Sequence, residues 1–128
     1  MRWPSPTPVV CLALLAGCGG EDDPPARTVD VAAGQRVRVT AEEYAFDPSA
    51  LVVAGGGAPL RITLDNRGDL AHNLRVLDGE RDVVGVPSFP GGEERTATLR
   101  LAAGRYRLVC TVADHEELGM DGELELQR

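Results

Sequence analysis

The chain has 128 residues, room for one domain with a modest core. Its formal net charge is −7, and all 13 of its basic residues are Arg. That balance excludes a nucleic-acid partner, since phosphate binding needs a basic face, and it favours encounter with a basic surface.

In chain order, Met1 and Arg2 give a short positive start, and an apolar run follows from Val9 to Ala16. This is the layout of a secretory signal peptide over 1–17, too short to cross a bilayer as a stable helix. A core helix or a short membrane anchor is the alternative for that run. It ends in Leu15-Ala16-Gly17-Cys18, which resembles the bacterial lipobox. The resemblance implies cleavage before Cys18 and a diacylglyceryl group on its thiol. Two acyl chains suffice for stable anchoring, so the expected location is the outer face of the bacterial cytoplasmic membrane. Ordinary cleavage, with Cys18 a bystander, is the alternative. Residues 18–28 are small, charged and Pro-containing, and read as a flexible tether. Cys11 would leave with the signal and Cys18 would carry lipid, so Cys110 remains as a lone thiol in an exported protein. Such a thiol has no internal disulfide partner and needs another occupation.

From residue 29 to 128 the pattern has a period of two. Val37 and Val39 alternate with Arg36, Arg38 and Thr40; Leu60, Ile62 and Leu64 alternate with Arg61 and Thr63. Ala97, Leu99 and Leu101 follow the same rule, as do Tyr106, Leu108 and Cys110, then Leu124 and Leu126. Each reads as a half-buried antiparallel strand. A further strand begins His72-Asn73-Leu74-Arg75-Val76-Leu77. Turn signals separate them, among them Asp47-Pro48, Asn66-Arg67-Gly68, Asp78-Gly79 and Asp121-Gly122. The best helical candidate in this region is one turn at 116–118. Short strands at close spacing predict an all-β, single-domain Greek-key sandwich or barrel.

Reactive side chains are few: two His, Cys110 and, once Met1 is removed, Met120. Cys110, His115 and Met120 share one segment spaced C-x4-H-x4-M, running from a strand end through a loop. His72 opens another strand. Singly, each has a plainer reading, as a buried small hydrophobe, a turn histidine or core filler. Together, one thiolate, two imidazoles and one thioether form the ligand set of a blue-copper site. Glu42-Glu43 read as solvated charge, and Arg105 and Arg107 as outward strand positions.

These motifs resemble those of the bacterial cupredoxins over about Val29 to Gln127, through Tyr44-Ala45-Phe46-Asp47-Pro48, Asn66-Arg67-Gly68 with His72-Asn73-Leu74, and Cys110 through Leu124. The resemblance implies one mononuclear type 1 copper, with His72, Cys110 and His115 as strong ligands and Met120 as the weak axial one. It also implies that Asn73 ties the two ligand-bearing loops together. Many relatives have Pro-Gly before the second His, whereas this chain has Ala113-Asp114. Asp114, Glu116 and Glu117 flank His115, a setting that favours oxidised copper and repels an acidic partner.

Four protein ligands leave no open position for substrate, which argues against an enzyme. The function implied is a membrane-tethered monomer that carries single electrons between membrane redox proteins of cytochrome or oxidase type. The alternative is a copper-binding protein for delivery or storage, a metallochaperone.

Overall fold

The structure, a computed structural model, describes residues 27–128. The expected signal peptide over 1–17, Cys18 and the tether up to residue 26 lie outside the described residues. Ten strands follow in order: β1 (Thr28–Val31), β2 (Arg36–Glu42), β3 (Ala45–Asp47), β4 (Ala50–Val53), β5 (Leu60–Asn66), β6 (His72–Asp78), β7 (Arg81–Phe89), β8 (Glu94–Leu99), β9 (Gly104–Val109) and β10 (Asp121–Leu126). No helix occurs among the described residues, and the turn around 116–118 stays a run of tight turns. β1 opens at Thr28, one residue before the expected domain boundary.

The strands form two sheets, a six-stranded one ordered β1-β4-β10-β9-β6-β7 and a four-stranded one ordered β3-β2-β5-β8. The alternation read from the sequence explains how they stack. In β2 Val37, Val39 and Ala41 are buried while Arg36, Arg38 and Glu42 face water. Opposite them, β6 buries Leu74 and Val76, β9 Leu108, and β10 Leu124 and Leu126. Each aliphatic side chain buried in this way contributes about 1.5–3 kcal/mol of transfer free energy. The two apolar faces therefore close on one another as an all-β sandwich.

The pairing is less uniform than expected. β1 with β4, β4 with β10 and β2 with β5 are parallel, so the sheets are mixed rather than purely antiparallel. The chain reaches such neighbours by crossing between the sheets, which sequence alternation cannot report. Alternation also ends earlier than expected in β8, which stops at Leu99.

One end of the sandwich collects the buried polarity. The buried polar residues among those described are Thr63, Asn66, His72, Asn73 and His115. Thr63 is satisfied within the four-stranded sheet by the Thr96 hydroxyl at 2.7 Å. The other four lie at the end where β5 leads into β6 and β9 into β10. Burying polar groups is costly unless they are bonded, so this concentration marks a site.

Candidate metal centre

His72 opens β6 beside Phe89 of β7. The β6–β7 register is interrupted between His72 and Leu74, where His72, Asn73 and Leu74 are buried in succession. Irregularities of this kind re-aim side chains beside functional sites. The loop before His72 is ordered by Asn66, which is fully buried. Its Nδ2 donates to the carbonyls of Leu70 (2.9 Å) and Phe89 (3.2 Å), and its Oδ1 accepts from the Gly68 N–H at 3.1 Å.

Cys110 follows β9, and the segment from there to Met120 closes on itself. The Cys110 N–H donates to the Met120 carbonyl, and the Met120 N–H to the His115 carbonyl, both at 3.0 Å. Within the segment, the Leu118 N–H reaches the Asp114 carbonyl at 3.1 Å. This network folds His115 back over Cys110. Of the acidic residues flanking His115, Glu116 is paired with Arg107.

Three donor atoms converge here. His72 Nδ1 lies 3.2 Å from His115 Nδ1, and Cys110 Sγ lies 3.5 Å from His115 Nδ1 and 4.0 Å from His72 Nδ1. His72 and Cys110 are fully buried and His115 is 4% exposed. A metal at about 2.0 Å from nitrogen and about 2.3 Å from sulfur sets in-plane donors about 3.5–3.7 Å apart. The observed triangle matches that size. One soft thiolate with two imidazoles in a plane suits copper, and the donor set fits a type 1 centre. Met120 is fully buried and its main chain bonds to both Cys110 and His115. Asn73 sits beside the triangle, joined to Thr111.

Glu43 corrects the sequence reading. It lies at the corner between β2 and β3, and rather than being merely solvated it points into the site. Its Oε1 is 2.9 Å from His72 Nε2 and 2.9 Å from the Leu70 N–H, and its Oε2 accepts from the Asp69 N–H at 3.3 Å. The Leu70 N–H first, then the His72 and Asp69 bonds, hold the Glu43 carboxyl down at about 2 against the opposing effect of burial. An ionised carboxylate only accepts, so the proton of this bond sits on His72 Nε2, and Nδ1 is the nitrogen turned toward the other two donors. The next residue, Tyr44, meets the His115 ring edge-on at a centroid distance of 5.0 Å. One corner of the chain thus touches both imidazoles. The sequence singled out Tyr44 only within a fold motif and gave no role to Glu43 or Thr111.

No family model matches the chain, and no curated protein matches it by sequence. Solved structures do match by shape. Reduced auracyanin from Roseiflexus castenholzii superposes with a TM-score of 0.69 at 18% identity, covering 75% of this chain and 99% of that one. Rusticyanin from Thiobacillus ferrooxidans gives 0.59 at 21%, covering 78% and 82%. An azurin from Methylomonas sp. strain J gives 0.64 at 16%, covering 75% and 100%. Two facing β-sheets, with Cys and His donors gathered at one end, agree with that likeness: the chain has the cupredoxin fold.

Proposed function

We propose that this protein is a blue-copper electron carrier. The observation that carries the reading is the buried triangle of His72 Nδ1, Cys110 Sγ and His115 Nδ1, with its 3.2–4.0 Å edges. Rusticyanin, a solved neighbour of similar shape, is described as a copper protein. Bound copper supplies the one-electron couple. His72, Cys110 and His115 would hold the ion, with Cys110 as thiolate providing electronic coupling, and Met120 would serve as a weaker thioether donor that tunes the potential. Because the donors are held by hydrogen-bonded main chain, they need move little between oxidation states.

The surroundings favour electron transfer over copper delivery. A delivery protein must let an acceptor's ligands reach the metal, and here His72 and Cys110 are fully buried and His115 nearly so. The two large apolar side chains exposed among the described residues are Leu70 (43%) and Leu118 (50%). Each lies within two or three residues of a histidine of the triangle, so a partner would dock where the electron path is shortest. Cys18 as a lipid anchor would confine the carrier beside membrane redox proteins of cytochrome or oxidase type, on the outer face of the bacterial cytoplasmic membrane.

Titration of the purified protein with Cu(II) tests the reading. A strong visible thiolate-to-copper band should saturate at one copper per chain and vanish in Cys110→Ser. No band on adding Cu(II) to folded protein whose Cys110 thiol is free overturns it. For the anchor, Cys18→Ala should move the protein from the membrane fraction to the soluble one. Unchanged fractionation removes the tether from the proposal.

A further inference from the structure

Outside the donor triangle, the most unusual group at this end of the sandwich is the Glu43 carboxylate. Three donors fix it: the main-chain N–H groups of Leu70 and Asp69, and His72 Nε2. The Glu43 side chain is 28% exposed, whereas the His72 side chain it touches is fully buried. Space for the carboxylate depends on Gly68, since a Cβ there would fall inside contact distance of both Glu43 carboxylate oxygens. The same loop is ordered by Asn66 through the Leu70 and Phe89 carbonyls and the Gly68 N–H, and Glu43 takes the Leu70 and Asp69 N–H groups that Asn66 leaves.

We propose that Glu43 is a positioning residue for the metal centre, holding the Nε2 proton on His72 so that Nδ1 faces the metal and biasing the bound couple toward its oxidised state. The proposal rests on the copper reading above. Its physical basis is twofold. An imidazole has two tautomers, and which nitrogen is free is set by the bond the other makes. A carboxylate bonded to Nε2–H also makes the ring a stronger donor and adds negative charge near the metal. Both effects favour Cu(II) over Cu(I), which lowers the reduction potential. Tyr44, on the next residue, packs on the second imidazole, so the corner between β2 and β3 orients both rings.

Two variants test this. Glu43→Gln keeps an oxygen to accept from His72 and removes the charge; Glu43→Leu removes both. The potential of the copper-loaded Gln variant should rise as the Cu(II):Cu(I) affinity ratio falls about tenfold, equivalent to about 59 mV for one electron. In metal-free protein, nitrogen NMR should show His72 protonated at Nε2 in the parent, and a shift toward the Nδ1-protonated form in the Leu variant. An unchanged potential in Glu43→Gln, or an unchanged tautomer in Glu43→Leu, overturns the proposal. If Glu43→Leu does not fold, the metal-free tautomer of the parent takes its place: protonation at Nδ1 there overturns the proposal as well. Because the tautomer is read without metal, failure of the parent to bind copper sinks the functional reading without deciding this one.

Discussion

Asn73 and Thr111 are joined by a reciprocal pair of hydrogen bonds: Asn73 Nδ2 donates to Thr111 Oγ1, and the Thr111 N–H donates to Asn73 Oδ1, both at 2.8 Å. Each residue adjoins a donor of the triangle, Asn73 next to His72 and Thr111 next to Cys110. The pair therefore acts as a clasp between β6 and the loop that follows β9. Asn73→Ala removes both bonds from a residue only 8% exposed. The expected cost is about 1–3 kcal/mol of folding stability, together with about 10–100-fold weaker metal binding. Thr111→Val keeps the main-chain bond and should lose less on both counts. Denaturant melts of metal-free protein and copper titrations check this; equal losses from the two variants would rule out the clasp.

Met120→Leu isolates the axial position. The variant preserves volume in a fully buried side chain, so stability should change by less than about 1.5 kcal/mol. The visible band should persist, since Cys110 and both histidines remain. The potential should rise, because a thioether that helps Cu(II) is replaced by an apolar group. A shift on the order of 59 mV would correspond to a tenfold change in the ratio of affinities. A potential that does not move would remove Met120 from the ligand set.

The donor triangle of His72, Cys110 and His115 was legible in the sequence because such side chains are rare in this chain. Cys110 and His115 share one segment, and strand alternation placed it between β9 and β10. The edge strand β7 was not legible: Val83 and Val84 sit side by side, and Gly85 and Pro87 break the alternation. Pro is tolerated there because β7 pairs only with β6 and lies at the sheet edge. Glu43 escaped for a different reason. Its contact with His72 spans 29 positions along the chain, and a Glu-Glu pair at the end of a strand looks like any solvated face. Only the crossing of β2 beside β5 brings that corner to the site. Parallel pairing was hidden in the same way, because alternation reports which face is buried and not which strand lies alongside.

Ala113 has a φ of 45°, the one non-glycine residue in the left-handed region among those described. It is exposed and lies midway between Cys110 and His115. A Cβ in this conformation costs about 1–2 kcal/mol, while glycine loses about 0.4–1 kcal/mol through its greater freedom when unfolded. Ala113→Gly should therefore stabilise the protein, by up to about 1.6 kcal/mol. The donor triangle should stay in place, leaving the visible band unchanged. A thermal melt of the metal-free protein decides it, and a lower melting temperature would mean that the methyl group makes contacts outweighing the strain.

Gly68→Ala approaches Glu43 from the other side. The new Cβ would collide with the Glu43 carboxylate, the far end of a flexible side chain, so the loop can survive by letting that carboxylate swing away. Doing so forfeits the bonds from Leu70, Asp69 and His72 while leaving the charge in the protein. If Glu43 acts on the metal centre through its bond to His72, Gly68→Ala should raise the potential in the same direction as Glu43→Gln. Combined with Glu43→Leu, which removes the same bond to His72, Gly68→Ala should then add little, because contacting residues are not independent. Fully additive shifts in a double-mutant cycle would mean that the two residues act separately.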